Sequence, residues 1–398
     1  MQQSFFSSKL RENRLSPILK WAGGKEQELS YILPSLPAQF NTYYEPFVGG
    51  GAVFFSINRP RMVINDLSED LVCLYRMVQE GNQAFFDHLR SIDHHWHLLE
   101  NIVEQNRSDW LGLYQAYVDG KYSNKQIDDA IVGLVLHHID QFNGILSPTF
   151  NFNLENFIHE VFRNLISKIK RMKVIESERG KMPESDVLDN IESALKSAFY
   201  MHFRHLHNRV DTYQIEPAFA AANFFFVREY CYSSMFRYNK AGEFNVPYGG
   251  IAYNRKDFLR KVNALQSPEM QEHMSRTELF NLDFEQFLNL TAPLAEDFIF
   301  LDPPYDSDFS TYAQNTFQRS DQERLAQYLQ KCPAYFMLVI KATPFIVNLY
   351  QGKGLNILTF DKRYLVSFMN RNDKNAEHLL ITNYPVTVQD GGQNGKNN

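Results

Sequence analysis

Cysteine is scarce in this chain of 398 residues: Cys73, Cys231 and Cys332 stand far apart with no paired spacing. Neither a disulfide framework nor a zinc site follows from that pattern, and a reducing compartment is expected. Long apolar runs are missing too. The longest nearly apolar stretch, Ala218 to Val227, is far too short to span a bilayer. The opening segment MQQSFFSSKLREN lacks an apolar core followed by small residues, so it does not read as a secretion signal, and a cytoplasmic location is expected. Positive charge is not in excess either. A net charge of −6 argues against a protein that coats nucleic acid non-specifically, while leaving room for a local basic face. Finally, the G-x-x-x-x-G-K-[ST] spacing of a phosphate loop is absent. Gly23, Gly24 and Lys25 are adjacent and Glu26 follows, which speaks against a nucleoside triphosphatase.

What is present is an ordinary globular composition, 44% hydrophobic and 22% charged, enough for a sizeable core. The length suggests two domains, or one domain with a large insertion. The most informative run is Phe298-Ile299-Phe300-Leu301-Asp302-Pro303-Pro304-Tyr305. Four apolar residues of strong β character predict a buried strand, and the prolines end it because they cannot donate to a ladder. Open α/β sheets bind ligands outside the carboxyl ends of their strands. At this tip the Asp302 carboxylate and the Pro303 carbonyl offer two acceptors in fixed relation, suited to the two N–H donors of an exocyclic amine. Pro304 stiffens the turn, and Tyr305 adds a face on which a planar base stacks. Alternatively, the tetrapeptide is only a strand-ending turn.

Near the other end, Lys20-Trp21-Ala22-Gly23-Gly24-Lys25 sets cations and an indole around a glycine pair. Next, Tyr43-Tyr44-Glu45-Pro46-Phe47-Val48-Gly49-Gly50-Gly51-Ala52 predicts a strand end, a triple-glycine turn and a helix opening with Ala52. About twenty residues on, a second strand, Arg61 to Asp66, ends in a carboxylate, the position where dinucleotide folds hold ribose hydroxyls. This series makes a nucleoside-binding unit. Its glycine loop does not choose between NAD and S-adenosylmethionine, whereas the amine-binding turn at Asp302 favours a methyl donor.

These motifs together resemble the DNA adenine methyltransferase (Dam) family. The matching segments are KWAGGK at 20–25, EPFVGGGAVFF at 45–55, NDL at 65–67, RYNKAGEFNVPYGG at 237–250, NLDFEQFL at 281–288 and DPPY at 302–305. The resemblance implies an α/β, Rossmann-like S-adenosylmethionine-dependent methyltransferase sheet with helices on both faces, plus an inserted, mainly helical target-recognition domain. The expected catalytic domain is discontinuous, residues 1–84 and 275–388, around a helical and target-recognition region at 85–274. It also implies a cofactor pocket lined by Trp21, Lys25, Glu45, Phe47, Gly49, Gly51, Asp66, Asp283, Phe284 and Asp302. The implied activity is N6 methylation of an adenine flipped out of double-stranded DNA, as the modification partner of a restriction endonuclease or defence system. Methylation of cytosine N4, of RNA or of protein glutamine, and a non-catalytic DNA-binding regulator, remain as alternatives.

The middle of the chain reads as helix-rich. Phe157, Ile158, Val161, Phe162, Leu165, Ile166 and Ile169 recur at helical spacing, with Arg163, Lys168, Lys170, Arg171 and Lys173 on the other side. That face is either solvated or phosphate-contacting. A connector is expected from Glu176 to Ser185, and residues 85–225 exceed what the resemblance implies, so they read as an insertion. His137, His138, His202, His205 and His207 lack the accompanying acids or cysteines of a metal site, and none is expected. From 228 to 250 a hairpin carries Tyr232, Arg237, Asn239, Lys240 and Asn245, a set suited to DNA. Arginine pairs bidentately with guanine and asparagine with adenine, while lysine contacts phosphate.

After Tyr305, Ser307 to Gln318 reads as a polar loop suited to closing over a base. A helix from about Ser320 to Gln330 and a strand from Tyr335 to Ile340 follow. Strands Arg363 to Met369 and Glu377 to Thr382, joined by a turn at Asn370 to Asp373, are expected to finish the sheet. The tail from Gln389 to Asn398 is rich in Gly and Asn and is expected to be disordered.

Overall fold

The computed structural model describes residues 15–146, 148, 151–305, 317–361 and 377–386. The loop expected at Ser307 to Gln318 lies outside these residues but for its last two. Wholly outside them lie the strand expected at Arg363 to Met369, the turn at Asn370 to Asp373, and the tail. The chain divides into two units, Met1–Gln79 with Pro268–Asn398, and Glu80–Ser267. The break falls before residue 84 because Asn82 caps the helix Gln83–Gln105, its side chain accepting from the Phe85 amide. The return falls before residue 275 because the helix Pro268–Ser275 is bound to the first unit. Gln79 donates to the carbonyls of Met274 (2.9 Å) and Thr277 (2.6 Å).

The first unit is built on a seven-stranded sheet. Its strands are β1 Thr42–Glu45, β2 Arg61–Asn65, β3 Thr277–Phe280, β4 Phe298–Leu301, β5 Tyr335–Lys341, β6 Asn356–Asp361 and β7 Glu377–Thr382, in the order β3-β2-β1-β4-β5-β7-β6. β1 to β5 pair in parallel, and β7 runs antiparallel between β5 and β6. All four residues of β1 and of β4 are buried, the continuous burial expected of parallel strands covered on both faces. Tyr44, Val63, Ile299, Leu301, Phe336, Leu338 and Ile340 from adjacent strands join Leu325 and Leu329 of the helix Arg319–Leu329 in one core. Because β2 and β3 lie on one side of β1 and β4 on the other, the winding reverses between β1 and β4. Ligand crevices form at such a point, outside the strand carboxyl ends. This is the α/β arrangement of methyltransferases that use S-adenosylmethionine.

One sequence expectation in this unit needs correction, and one strand is added. No α-helix opens at Ala52. Phe55 N–H reaches back to Gly51 O (2.9 Å), but the next bonds, Ser56 to Val53 and Ile57 to Phe54, are of the shorter kind, and only a 3₁₀ turn, Phe54–Ser56, forms. Pro60 disfavours helical backbone at Arg59 and leaves no length for more. The sixth strand is Asn356–Asp361, a segment the sequence reading passed over.

The second unit is helical. Its longest helices are Gln83–Gln105, Leu154–Arg179 and Glu184–His207, with Pro217–Tyr230 buried among them. Trp96 packs against Phe199, Phe226 and Tyr230 at ring separations of 6.0, 5.5 and 4.5 Å. The run from Ala218 to Val227 is thus a core helix, and among the described residues no helix is long and apolar enough to cross a membrane. The connector expected at Glu176 to Ser185 shrinks to Gly180–Pro183. The helix continues to Arg179, where Gly180 at φ +92° stops it, and the next begins at Glu184.

Buried Glu229 anchors the end of Pro217–Tyr230 by pairing with Lys256 (2.6 Å) and Lys261. Burial pushes its carboxyl up, but the two ammonium groups outweigh burial and hold it below the usual glutamate range. A depressed carboxyl adds stability above the ordinary glutamate value and loses it as pH falls through the depressed one. Glu229→Gln is expected to cost about 3 kcal/mol at neutral pH, the lower end for breaking a buried pair. Urea unfolding at pH 7 and at successively lower pH should show the gap to wild type narrowing below the ordinary glutamate range.

Candidate active site

The site begins with three glycines after β1. Gly49 and Gly51 have φ of +51° and +79°, a region that side chains rarely adopt. A Cβ on Gly49 would meet the Trp21 indole at 2.7 Å, and one on Gly51 the Tyr75 hydroxyl at 2.6 Å. Gly50 lies against the Leu19 carbonyl, and its own carbonyl accepts from Ile18 N–H (3.0 Å). The N-terminal segment therefore crosses directly over the loop, with Trp21 seated on it. Asp66, at the end of β2, fixes the loop from the other side. One carboxylate oxygen accepts from Gly49 N–H (3.0 Å) and the other from Ser68 N–H (2.9 Å). Burial raises the Asp66 carboxyl above its ordinary value, against the pull of these amides. Tyr75 completes the frame by donating to the Gly49 carbonyl (3.0 Å).

Lys25 then reaches from the same segment to the tip of β4. Its ammonium is buried and donates to Gly23 O (2.8 Å), to the Asp302 carboxylate and to the Tyr305 hydroxyl (3.2 Å). These three bonds use its full donor capacity. Residues 277 positions apart are thereby joined at the strand tips. The ammonium also stands 5.4 Å from the centre of the Tyr305 ring. Pro303 is buried, and the Pro304 carbonyl accepts from Gln322 (2.9 Å), which fixes the turn. Buried His378 on β7 sets its ring edge-on to Tyr305 at 5.6 Å. Beneath lies Glu45, also buried, accepting from the Tyr43 hydroxyl (2.7 Å). Burial pushes its carboxyl well up; the Tyr43 bond opposes this, and the charge of nearby Asp302 adds to it.

Around the end of β3 is an aromatic cluster with an acid. Phe47 and Phe284 are 5.6 Å apart, and Phe317 stands 5.6 Å from each. Asp283 caps the helix Phe284–Thr291, accepting from Glu285 N–H (3.0 Å), and Arg324 grips it with two parallel bonds of 3.1 and 3.0 Å. Trp21, Lys25, Glu45, Phe47, Gly49, Gly51, Asp66, Asp283, Phe284 and Asp302 thus all lie at the carboxyl ends of β1 to β4. Arg324, Gln322, Tyr43 and His378 were not singled out from the sequence. Tyr43 stands at the head of the glycine-loop stretch, while the other three lie on elements without a motif, where only the register of helix and strand brings them to the site.

The hairpin belongs to the helical unit. It is held by the bridges Cys231 to Tyr248 and Tyr238 to Phe244. Asn239 serves its turn, accepting from the Ala241 and Glu243 amides (both 2.9 Å) and donating to the Glu243 carboxylate (2.8 Å). Arg237 lies along the hairpin, bonded to the Asn245 side chain (2.9 Å) and carbonyl (2.6 Å). Tyr232, Arg237 and Lys240 are exposed. On the helix Leu154–Arg179, Arg163 pairs with Glu160, Lys170 with Asp128, and Lys173 donates to the Tyr117 carbonyl. Three of the five basic side chains are therefore engaged within the unit. Among the described residues no three His, Cys, Asp or Glu side chains are grouped as a metal site.

A family model described as D12 class N6 adenine-specific DNA methyltransferase matches residues 21–109 and 133–366. The helical region read as an insertion lies largely inside that match, with only 110–132 between its two segments. Among curated proteins, the chain is 26% identical over 380 residues to the Type II methyltransferase M.CviBI of Paramecium bursaria Chlorella virus NC1A, covering 93% of this chain and 100% of that protein. Type II methyltransferase M.MjaIII of Methanocaldococcus jannaschii is 25% identical over 388 residues, covering 93% and 99%. The DNA adenine methylase of Vibrio cholerae is 22% identical over 381 residues, covering 92% and 95%.

The glycine loop generates a direct test. Gly51→Ala forces a Cβ against Tyr75 and Phe55 at an unfavourable φ, and is expected to destabilise the protein by about 2 kcal/mol. Chemical denaturation checks this against Gly352→Ala, which has the same sign of φ, +74°, but nothing within 4 Å of an added Cβ. The Gly51 variant should lose more.

Proposed function

The chain belongs to the D12 class of N6 adenine-specific DNA methyltransferases, and from that premise we propose which residues carry the methyl transfer. S-adenosylmethionine, when bound, supplies an already activated methyl group whose bonding electrons stay on sulfur. The donor set suits it: close-approach glycines at Gly49 and Gly51, the Phe47 and Phe284 rings, and an acid cap at Asp283. Trp21 covers the glycine loop, Asp66 holds that loop in place, and buried Glu45 supports the turn from below.

Asp302 and Pro303 take the adenine. The exocyclic amine is a weak nucleophile because its lone pair is delocalised into the ring. The Asp302 carboxylate and Pro303 carbonyl accept its two N–H bonds, favour the pyramidal form and stabilise positive charge as the N–C bond forms. The nitrogen then releases one proton to solvent water, which leaves a neutral methylamine on the base. Lys25 aims the carboxylate, and its hydrogen bond to the Tyr305 hydroxyl sets the ring on which the base stacks. With a methyl donor already activated, positioning supplies most of the acceleration. The target lies inside duplex DNA and is flipped out at a cost of a few kcal/mol, offset in part by that stacking.

The hairpin reads the DNA. Tyr232, Arg237 and Lys240 face solvent, Asn245 holds Arg237, and Asn239 shapes the turn that presents them. The chain acts in the cytoplasm, a reading supported by the scarcity and wide spacing of its three cysteines, and it modifies DNA alongside a restriction endonuclease. Relatives named as Type II methyltransferases, and the modification methylase StsI of Streptococcus sanguinis, support that pairing.

The observation that carries the assignment of roles is the Lys25 ammonium shared between Asp302 and Tyr305. Asp302→Ala is expected to reduce methyl transfer by at least about 100-fold while DNA affinity stays nearly unchanged. Counting N6-methyladenine by mass spectrometry of digested DNA, alongside DNA binding, checks both halves. Strong residual turnover removes Asp302 from this role.

A further inference from the structure

Arg324 makes more polar contacts than any role in the core of the helix Arg319–Leu329 requires. Its two terminal nitrogens fork onto Asp283 at 3.1 and 3.0 Å. One of them also reaches Glu285 (2.7 Å), and the other Asp321 (3.0 Å), one turn earlier on its own helix. The guanidinium also lies 4.7 Å from the centre of the Phe284 ring. One side chain thus holds both residues, Asp283 and Phe284, that the proposed cofactor pocket takes from the end of β3. Three carboxylates surround a single cation, an arrangement that leaves the local charge negative.

Stability does not account for this cluster. Arg324, Asp283 and Glu285 are each about one-third exposed, and ion pairs in such settings add little to folding. Geometry is what a two-pronged arginine contact adds, because the planar fork fixes a carboxylate in both direction and rotation. Burial pushes the Asp283 carboxyl up, but the Arg324 bonds and the Glu285 amide outweigh it and hold it below the ordinary aspartate range. An ionised carboxylate only accepts. Beside an aromatic face, it selects a flat heterocycle that presents an N–H donor over one that presents a carbonyl.

We propose that Arg324 is a positioning residue of the cofactor site: it locks the Asp283 carboxylate and the Phe284 ring into the pose that receives an aminopurine. The inference rests on the reading of Asp283 and Phe284 as cofactor residues given above. Arg324 touches neither the methyl group nor the target base.

The test uses the full-length protein and S-adenosylhomocysteine as the calorimetric probe, with Asp283→Ala, Arg324→Met and Arg324→Lys. Arg324→Met should weaken binding about tenfold. Steady-state kinetics should place the loss in KM for S-adenosylmethionine, with kcat falling less than about twofold. Arg324→Lys should recover only part of the affinity, because an ammonium keeps the charge without the fork. Combining Arg324→Met with Asp283→Ala should weaken binding by less than the two single losses together, since both act in large part through one carboxylate. Wild-type preference for S-adenosylhomocysteine over its 6-oxo inosyl counterpart should shrink in Arg324→Met, a change that a general loss of stability does not produce. Affinity of Arg324→Met within twofold of wild type overturns the inference if Asp283→Ala is weakened. Should Asp283→Ala also bind normally, the reading of the cofactor pocket falls instead. If Arg324→Met does not fold, Arg324→Lys decides: affinity equal to wild type overturns the inference.

Discussion

One ammonium group holds the chemistry of this protein together. Lys25 leaves an N-terminal segment that has already crossed the glycine loop, and it ends buried against Asp302 and Tyr305. Burying a lysine costs several kcal/mol unless its charge and its donors are satisfied. Here a carboxylate, a carbonyl and a hydroxyl satisfy all three donors. The same contact requires the loop to stay open enough for Trp21 to pass over it, which explains why residues 49 to 51 have no room for side chains. Donor pocket and acceptor turn are therefore not two independent features. Each is shaped by the segment that runs between them.

The parallel sheet makes that meeting possible. Winding outward from β1 in both directions puts the ends of β1, β2, β3 and β4 on one edge, so that Glu45, Asp66, Asp283 and Asp302 converge although the chain leaves the sheet for more than two hundred residues between β2 and β3. Four acids at one edge repel one another. The structure answers each differently: Tyr43 and burial at Glu45, backbone amides at Asp66, Arg324 at Asp283 and Lys25 at Asp302. Two of the four carboxyls are raised and one is lowered, so the four do not titrate alike.

Much of this was legible in the sequence. The run Phe298 to Leu301 has no alternation and ends at prolines, a pattern that only a buried strand tip satisfies, and β4 is that strand. The triple glycine announced close backbone approach, which the Trp21, Leu19 and Tyr75 contacts make concrete. What stayed hidden has physical causes. The absent helix at Ala52 was lost to Pro60, several residues beyond the loop that suggested it. The helix Leu154–Arg179 ran on through charged residues because they satisfy helical backbone well, and only Gly180 stopped it. Arg324, Gln322 and His378 owe their importance to where their elements dock, which no local pattern encodes. On the hairpin, Asn239, a candidate from the sequence for pairing with adenine, also holds its own turn, a role that asparagine offers at any bend.

The most direct measurement is a crystal structure of the protein with S-adenosylhomocysteine. The account predicts the purine among Phe47, Asp283 and Phe284, the sulfur beside Asp302, and the Lys25 ammonium still hydrogen-bonded to the Asp302 carboxylate. A ligand bound away from the glycine loop, or Lys25 turned to solvent beyond reach of Asp302, would contradict it.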